Sequence, residues 1–145
     1  MKVRDIGMKE IYCATPTMNL NEIATMMKRH GVGAMPVCDG DKLVGMITDR
    51  DIVVSCVAAG MNAAACQAKE FMTSNPVTVT PDSDLEEATR VMAREQVRRL
   101  PVVEEGCLVG MLSLGDIAMV LPGNDRLVAE TLRKISTPTQ AVPSC

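Results

Sequence analysis

Aromatic side chains are almost missing from this chain, which has one Tyr, one Phe and no Trp. Proteins that bind single-stranded nucleic acid stack its bases on aromatic rings, so the composition disfavours that function. Positive charge is not in excess either, because 15 Lys and Arg against 18 Asp and Glu leave a net charge of −3. Such a chain has no general attraction for phosphate backbones or anionic lipid. We therefore expect no nucleic-acid partner and no membrane partner.

Metal-binding and catalytic motifs are missing as well. The chain has one His and no C-x-x-C, which leaves too few ligands at the spacing of a structural zinc site. It also lacks the P-loop, G-x-G-x-x-G, G-x-S-x-G and H-E-x-x-H patterns. No apolar run approaches the roughly 18 residues that span a bilayer, and Lys2 and Arg4 place charge where a secretion signal would be apolar. We predict a cytoplasmic protein that is not an enzyme and requires no metal or cofactor.

What the chain does contain is aliphatic content and an internal repeat. Of its 145 residues 47% are hydrophobic, including twelve Met, which is enough for a core that needs no disulfides. A shift of 65 positions aligns residues 15–52 with residues 80–117 without a gap, and fifteen aligned pairs are identical. About two identities would be expected by chance, so the chain contains a duplication.

Each copy has the periodicity of a strand, a helix, two strands and a second helix. Apolar residues at helical spacing follow Asn19 in the first copy and Asp84 in the second. Glu22 and Glu87, three residues further on, indicate a capping box at each helix start. The predicted strands are 12–15, 34–38 and 42–47 in the first copy, and 76–80, 100–103 and 107–112 in the second.

These elements predict an α/β (α+β) fold of two β-α-β-β-α units related by a pseudo-twofold axis. We expect the units to pack through their sheets, because one three-stranded sheet cannot bury both of its faces. The predicted boundaries are 1–65 for the first repeat with its N-terminal segment and connection, 66–122 for the second repeat, 123–136 for a C-terminal helix and 137–145 for a disordered tail.

The most informative local pattern lies where the second helix of each copy begins. Glycine, two apolar residues and then hydroxyl-x-x-Asp occur at 45–51 and again at 110–116. One interpretation is a capping box, in which Thr48 or Ser113 and the Asp three residues later bond the first backbone N–H groups. The alternative is a ligand site, in which the helix start binds a phosphate and the carboxylate accepts hydrogen bonds from ribose hydroxyls. A carboxylate has enough lone pairs for both roles, so both stay open.

With these motifs present twice and in register, the chain resembles the CBS domain family in its tandem form, the CBS pair or Bateman module. The resemblance covers residues 4–117 and rests on the motifs at 32–37 and 43–52 and on their counterparts at 97–102 and 108–117. We expect no attached catalytic domain. The chain therefore looks like a stand-alone two-CBS protein, similar to the stress-associated hypoxic response proteins.

The resemblance implies that adenosine-containing ligands such as AMP, ADP, ATP or S-adenosylmethionine occupy clefts between the two copies. Asp51 and Asp116 match the family's ribose-binding Asp, and Thr48 and Ser113 match its hydroxyl at the helix start. The positions that match the lining of the adenine slot are Thr15, Thr80, Met35, Pro36, Leu100 and Pro101. An aliphatic slot suits the base, which needs apolar contact and a few backbone hydrogen bonds.

The two copies differ around this motif in charge. The differing pairs are Arg98-Arg99 in place of Gly33-Ala34, and Leu114-Gly115 in place of Asp49-Arg50. Arg50, Arg98 or Arg99 can each offer a fork to a phosphate, although an exposed strand or helix-end charge explains them equally well. Asp49 beside Asp51 would repel an anionic ligand unless Arg50 or a cation offsets it. We therefore expect two sites that are not equivalent.

Two of the six cysteines are candidates for a disulfide. Cys13 lies on the strand before the first helix and Cys38 on the strand after it. A β-helix-β crossover often makes such strands neighbours, which would bring the two Cα atoms within reach of a disulfide.

The family resemblance implies a regulatory module that senses adenine nucleotides and acts on an unknown protein effector. It also implies a homodimer that packs helical faces of two modules, which the methionines Met26 and Met27 of the first helix would permit. The alternative is a structural or interaction module with empty clefts, redox-sensitive through Cys13 and Cys38.

Overall fold

The computed structural model describes residues 1–6, 11–120, 123 and 125–138, and divides the chain into two compact units. The first unit holds the first repeat and lies within Glu10–Pro76 and Val103–Val109. The second unit holds the second repeat and lies within Met1–Lys9, Val77–Val102 and Gly110–Cys145. The compact units thus differ from the predicted boundaries at 1–65 and 66–122, because each takes up a segment from the other half of the sequence.

A helix, a hairpin and a second helix form the frame of the first unit. Its helices are α1 (Leu20–His30), α2 (Asp49–Asp51) and α3 (Ala68–Phe71), and its strands are β1 (Ala34–Asp39), β2 (Lys42–Thr48) and β3 (Thr73–Ser74). α2 continues as a π-helix over Ile52–Val57, and a 3-10 turn follows at Ala63–Ala65. β1 and β2 pair antiparallel and β3 pairs with β2, so the predicted hairpin is confirmed.

The second unit repeats this frame and adds a C-terminal helix. Its elements are α4 (Leu85–Glu95), β4 (Arg99–Glu104), β5 (Cys107–Ser113), α5 (Leu114–Val120) and α6 (Asp125–Ser136). The tip of the β4–β5 hairpin belongs to the first unit, where Cys107 pairs with Lys42 of β2. α6 lies within the predicted range of 123–136.

The strands predicted before each first helix are reduced to single parallel bridges. Ala14 pairs with Val37 in the first unit, and Val79 pairs with Val102 in the second. Thr-Pro follows each bridging residue, and proline has no N–H with which to continue a ladder. The bridges therefore fix the position of each segment without extending it into a strand.

The two predicted capping boxes at the first helices have different outcomes. Asn19 caps α1, since its Oδ1 accepts from the Glu22 N–H at 2.9 Å. The box is incomplete, because Glu22 Oε1 accepts from Asn19 Nδ2, at 2.8 Å, and not from the Asn19 backbone N–H. Asp84 makes no side-chain cap bond at the start of α4, so that prediction is wrong. Glu87 accepts instead from Arg90 one turn later, at 2.7 Å.

Each repeat is completed by the segment that precedes the other repeat. The first N–H of α1, at Leu20, donates to Cys66 O, and that of α4, at Leu85, donates to Met1 O, both at 3.0 Å. The donors Leu20 and Leu85 are 65 positions apart, and so are the acceptors Met1 and Cys66. The repeat therefore also includes residues 1–6 and 66–71. No aligned residue is identical there, which is why the sequence alignment did not include these segments.

The end of α4 is tied to the end of α6 by one side chain. Gln96 adopts the left-handed conformation, with φ of 55°, at the position that Gly31 occupies after α1. Its Nε2 donates to Lys134 O at 3.1 Å and to Thr137 O at 2.6 Å. Thr137, at the start of the predicted disordered tail, is therefore hydrogen-bonded, whereas residues 139–145 of that tail lie outside the described residues.

Each unit has its own aliphatic core. The fully buried large side chains include Leu20, Ile23, Met35, Val37 and Ile47 in the first unit, and Leu85, Met92, Leu100, Val102 and Ile117 in the second. The structure confirms a mixed fold of helices and antiparallel strands. Within the described part of the chain, no helix is both long and apolar enough to cross a bilayer.

The exposed apolar surface of the first unit is not on the helix that the sequence indicated. Met27 is 7% exposed and belongs to the core, so it cannot contribute to a contact face as predicted. The exposed apolar side chains lie instead on the π-helical continuation of α2, where Val53, Val54 and Val57 are each more than half exposed.

Candidate functional site

The hydroxyl-x-x-Asp motif of the first repeat forms a reciprocal pair of hydrogen bonds. Thr48 ends β2, and its N–H donates to Asp51 Oδ2 at 2.8 Å. The Asp51 N–H donates to Thr48 Oγ1 at 3.1 Å, which completes the capping box at the start of α2. The predicted box is confirmed, and it holds both side chains in one place at the junction of strand and helix.

The cap leaves half of the Asp51 carboxylate without a partner. Asp51 Oδ2 is used by the cap, whereas Oδ1 has no hydrogen-bond partner among the residues that the structure describes. The residue is partly exposed. The carboxylate therefore retains the capacity to accept hydrogen bonds from a ligand.

A backbone hydrogen bond joins this junction to the start of β1. The Asp49 N–H donates to Gly33 O at 2.8 Å. A Cβ at Gly33 would lie 2.9 Å from Asp49 Oδ2, so the Asp49 carboxylate occupies the space that a side chain at position 33 would need. Arg50 is exposed, and its N–H donates to Asp49 Oδ1 at 2.8 Å. Asp49 and Arg50 form no ion pair with any described residue.

The remaining predicted residues of the first repeat lie on β1 and on the segment that forms a bridge with it. Ala34 pairs with Thr48 across the hairpin, and Pro36 O accepts from the Ala14 N–H at 2.9 Å, next to exposed Thr15. Met35 is 0% exposed and Pro36 is buried. Their side chains are thus enclosed in the protein, and the part of the predicted slot that is open to solvent is Thr15.

The second repeat builds the same junction 65 residues later. The Ser113 N–H donates to Asp116 Oδ2 at 3.1 Å, and the Asp116 N–H donates to Ser113 Oγ at 3.0 Å. The Leu114 N–H donates to Arg98 O at 2.8 Å, which matches the bond from Asp49 to Gly33. The two junctions therefore share their backbone and their Asp, and differ in the side chains around them.

Charge and shape differ between the two junctions as the sequence predicts. Arg98 and Arg99 are exposed at the start of β4, and neither forms an ion pair with any described residue. The carboxylate of Asp49 in the first repeat is replaced by the buried side chain of Leu114. The second junction therefore has two unpaired cations and one carboxylate, whereas the first has one unpaired cation and two carboxylates.

The lining residues of the second repeat are placed like those of the first. Leu100 is 1% exposed, Pro101 is buried, and Pro101 O accepts from the Val79 N–H at 3.1 Å. Thr80 is exposed, and its N–H and hydroxyl both contact Ser83 Oγ, at 3.0 and 3.2 Å. Ser83 was not predicted; Thr followed three residues later by Ser is the signal that indicates such a turn.

The two cysteines that were predicted to be neighbours are in contact. Cys38 Sγ lies 3.8 Å from Cys13 Sγ, and both are free thiols. Burial and then the neighbouring Cys13 raise the pKa of the Cys38 thiol from its usual 9.0 to about 12. The crossover therefore brings the two sulfurs together, as the sequence predicts.

Comparison with protein-family models finds the CBS domain at residues 3–57 and 68–123. Among curated proteins, the chain is 37% identical to the CBS domain-containing protein YhcV of Bacillus subtilis over 123 residues. The aligned region covers 85% of this chain and 87% of that protein. The chain is 36% identical over 136 residues to Hypoxic response protein 1 of Mycobacterium tuberculosis, which covers 93% of this chain and 94% of that protein.

Solved structures with the same fold include two that hold small ligands. One is Hypoxic Response Protein I with two coordinated zinc ions, with a TM-score of 0.77 and 39% identity over 84% of this chain and 100% of the other. Another is the CBS domain pair of protein MJ0100 in complex with 5-methylthioadenosine and S-adenosyl-L-methionine, with a TM-score of 0.75 and 27% identity over 86% and 98% of the two chains. Among the residues described for the present chain, no group of three or more His, Cys, Asp or Glu is placed to hold a metal ion.

Proposed function

Because this chain belongs to the CBS domain family and carries two CBS domains, we propose that it is a regulatory module that binds an adenine nucleotide or a related adenosyl ligand. The observation that carries the proposal is the Asp51 carboxylate, which is fixed by the cap through one oxygen, while the other oxygen has no hydrogen-bond partner among the described residues. The related complex of MJ0100 with two adenosyl ligands supports the ligand class.

The chemistry expected at each junction is recognition of a nucleoside by hydrogen bonds. Asp51 in the first repeat and Asp116 in the second would accept from the paired hydroxyls of a ribose, and a carboxylate forms stronger hydrogen bonds than a neutral acceptor. Thr48 and Ser113 already accept within the cap, and each hydroxyl has a proton left to donate to a ligand oxygen.

The charges around the two junctions predict different ligand preferences. Arg98 and Arg99 favour a phosphorylated ligand such as AMP, ADP or ATP in the second repeat. Asp49 beside Asp51 disfavours a phosphate in the first repeat, so that junction suits an uncharged or cationic adenosyl ligand such as S-adenosylmethionine.

The output of such a module is a shift between conformations rather than a chemical reaction. A ligand that binds one arrangement more tightly raises its population, and a protein effector reads the change. We expect a homodimer, with the exposed Val53, Val54 and Val57 as its apolar contact face in place of the first helix. Localisation in the cytoplasm remains a prediction.

Binding measured by calorimetry and by thermal shift tests the proposal. With about 1 mM of a ligand whose Kd is about 10 μM, linkage predicts about 2.7 kcal/mol of stabilisation, or roughly 5 to 10 °C. Asp51→Asn and Asp116→Asn should each remove binding at one site. Asp39→Asn, which changes an exposed carboxylate at the hairpin turn, is the matched control and should leave binding intact. No shift in the wild type with AMP, ADP, ATP or S-adenosylmethionine would contradict the proposal.

A second candidate function is a redox-sensitive interaction module without ligand. The observation that favours it is the 3.8 Å contact between the Cys13 and Cys38 sulfurs. Oxidation would then change recognition of a protein effector, whereas Cys38→Val would abolish the response. Val is the matched replacement because Val103 holds the corresponding position of the second repeat.

A further inference from the structure

The first unit contains a second pair of cysteine sulfurs in contact. Cys56 Sγ lies 4.0 Å from Cys66 Sγ, and the two residues are ten positions apart. Cys56 is 0% and Cys66 4% exposed, so the pair lies inside the core of the first unit. Within the described residues, all five cysteines are in this unit and none is in the second.

The duplication places residues other than cysteine at the two corresponding positions of the second repeat. Met1 takes the place of Cys66 in the second unit, with the same backbone bond from the following first helix. Leu121 takes the place of Cys56 in the sequence. A thiol is therefore not needed to form the backbone hydrogen bond at Cys66.

An uncommon helix geometry brings Cys56 toward Cys66. Residues Ile52–Val57 form a π-helix, in which the Ala58 N–H donates to Val53 O at 2.9 Å. The next turn repeats this spacing, since the Met61 N–H donates to Cys56 O at 3.0 Å. π-helical turns are rare and are found frequently at functional sites. The turn at 58–62, which separates the two cysteines, is exposed throughout.

We propose that Cys56 and Cys66 are a redox-active dithiol that a low-molecular-weight disulfide, such as oxidised glutathione, converts to an intramolecular disulfide. One thiol loses its proton, and its sulfur attacks the glutathione disulfide, forming a mixed disulfide and releasing one reduced glutathione. The second thiol loses its proton and displaces the other glutathione, which closes the protein disulfide. Two protein thiols are oxidised and one glutathione disulfide is reduced to two thiols, so atoms and electrons balance.

The reaction should be slow in the folded protein and limited by local opening. Burial raises the pKa of the Cys66 thiol, which lowers the fraction of reactive thiolate. The oxidant reaches the pair only when the exposed turn at 58–62 opens. Cys107 is exposed and has no sulfur neighbour among the described residues, so it reacts first and serves as the internal standard for the reagent.

The methionines of this chain allow the pairing to be read directly in the wild type. Cleavage with cyanogen bromide after each Met places every one of the six cysteines in a different fragment. Cys56 is in the fragment 47–61 and Cys66 in the fragment 62–72. The folded protein would be oxidised with excess glutathione disulfide, its remaining thiols alkylated, and the fragments identified by mass spectrometry without reduction.

We expect fragments 47–61 and 62–72 to remain joined, with a mass two hydrogens below their sum, while Cys107 carries glutathione. The same treatment in urea should give mixed pairings, which shows that the fold directs the bond. Cys56→Ala should abolish the link and leave Cys66 as a free thiol or a glutathione adduct. Complete glutathionylation of Cys107 with Cys56 and Cys66 both free or separately glutathionylated would overturn the proposal. A link between 9–18 and 36–46 reports on Cys13 and Cys38, and is a separate result.

Discussion

The stability of the two capping boxes can be measured without any ligand, and it tests the geometry on which the functional proposal depends. Thr48→Ala removes the acceptor for the Asp51 N–H, and Asp51→Ala removes the acceptor for the Thr48 N–H. Both residues are partly exposed, so water replaces part of each lost bond. Ser113→Ala and Asp116→Ala are the matched changes in the second repeat.

The expected costs follow from the bonds that are lost. Loss of a Thr cap costs about 1 kcal/mol. Asp51→Ala loses one hydrogen bond to a charged acceptor and a favourable charge at the helix start, about 1.5 kcal/mol together. For a chain of this size, 1 kcal/mol corresponds to about 2 to 4 °C in the unfolding midpoint. Asp51→Asn keeps an oxygen that can accept from the Thr48 N–H, so its cost should be about half that of Asp51→Ala.

Urea denaturation monitored by circular dichroism measures these differences. The midpoints of the variants can be compared if the free energy of unfolding has the same slope against urea concentration in each. Thr48→Ala and Ser113→Ala should agree within about 0.5 kcal/mol, since the bonds that they remove are 3.1 and 3.0 Å long. Free energies of unfolding that stay within about 0.3 kcal/mol of wild type for all four alanine variants would refute the capping geometry. Loss of stability in one repeat alone would refute its equivalence with the other.

Three further predictions concern the first unit. The pKa of Cys38 is raised from 9.0 to about 12 in the folded protein, so the unfolded chain loses this proton first and stability falls as pH rises from 9 to 12. In reducing buffer, Cys38→Val should remove this fall in stability, which is at most about 1.4 kcal/mol per pH unit. Parallel profiles of stability against pH for wild type and variant would contradict the raised pKa. Gly45→Ala should cost about 1 to 3 kcal/mol in denaturation, because its Cβ would lie 3.0 Å from Thr73 O and against the Met72 side chain. Gly31→Ala should cost about 1 kcal/mol by the same measurement, because φ is 64° there, and an unchanged midpoint would contradict that strain.

The elements that could be predicted from the sequence are those with local signals. The hairpins follow from apolar strands around a short turn, and the boxes at Thr48 and Ser113 follow from hydroxyl-x-x-Asp. The same reasoning failed at Asp84, because the pattern shows only that the residue types are present. There Glu87 is bonded to Arg90 on the exposed face of α4 instead of reaching back to the helix start.

What the sequence did not reveal depends on contacts between distant segments. The exchange of residues 1–6 and 66–71 is carried by backbone hydrogen bonds, and no aligned residue of the two segments is identical. The burial of Met27, by contrast, follows from the sequence, because Leu20, Ile23 and Met27 recur at helical spacing and all three are buried in α1. The contact between Cys56 and Cys66 depends on the π-helix over Ile52–Val57, and no pattern in the sequence of that segment predicts a π-helix.

The capping and ligand interpretations of the Asp51 motif are compatible because they use different atoms. The cap occupies Asp51 Oδ2 and one lone pair of Thr48 Oγ1, and leaves Asp51 Oδ1 and the hydroxyl proton of Thr48 without partners among the described residues. A ligand bound through these atoms would leave the cap intact, and would find the carboxylate already oriented, which lowers the entropy lost on binding. Stability and affinity should therefore separate in Asp51→Asn, with a small loss of stability and a large loss of affinity. Equal loss of both would mean that the carboxylate serves the cap alone.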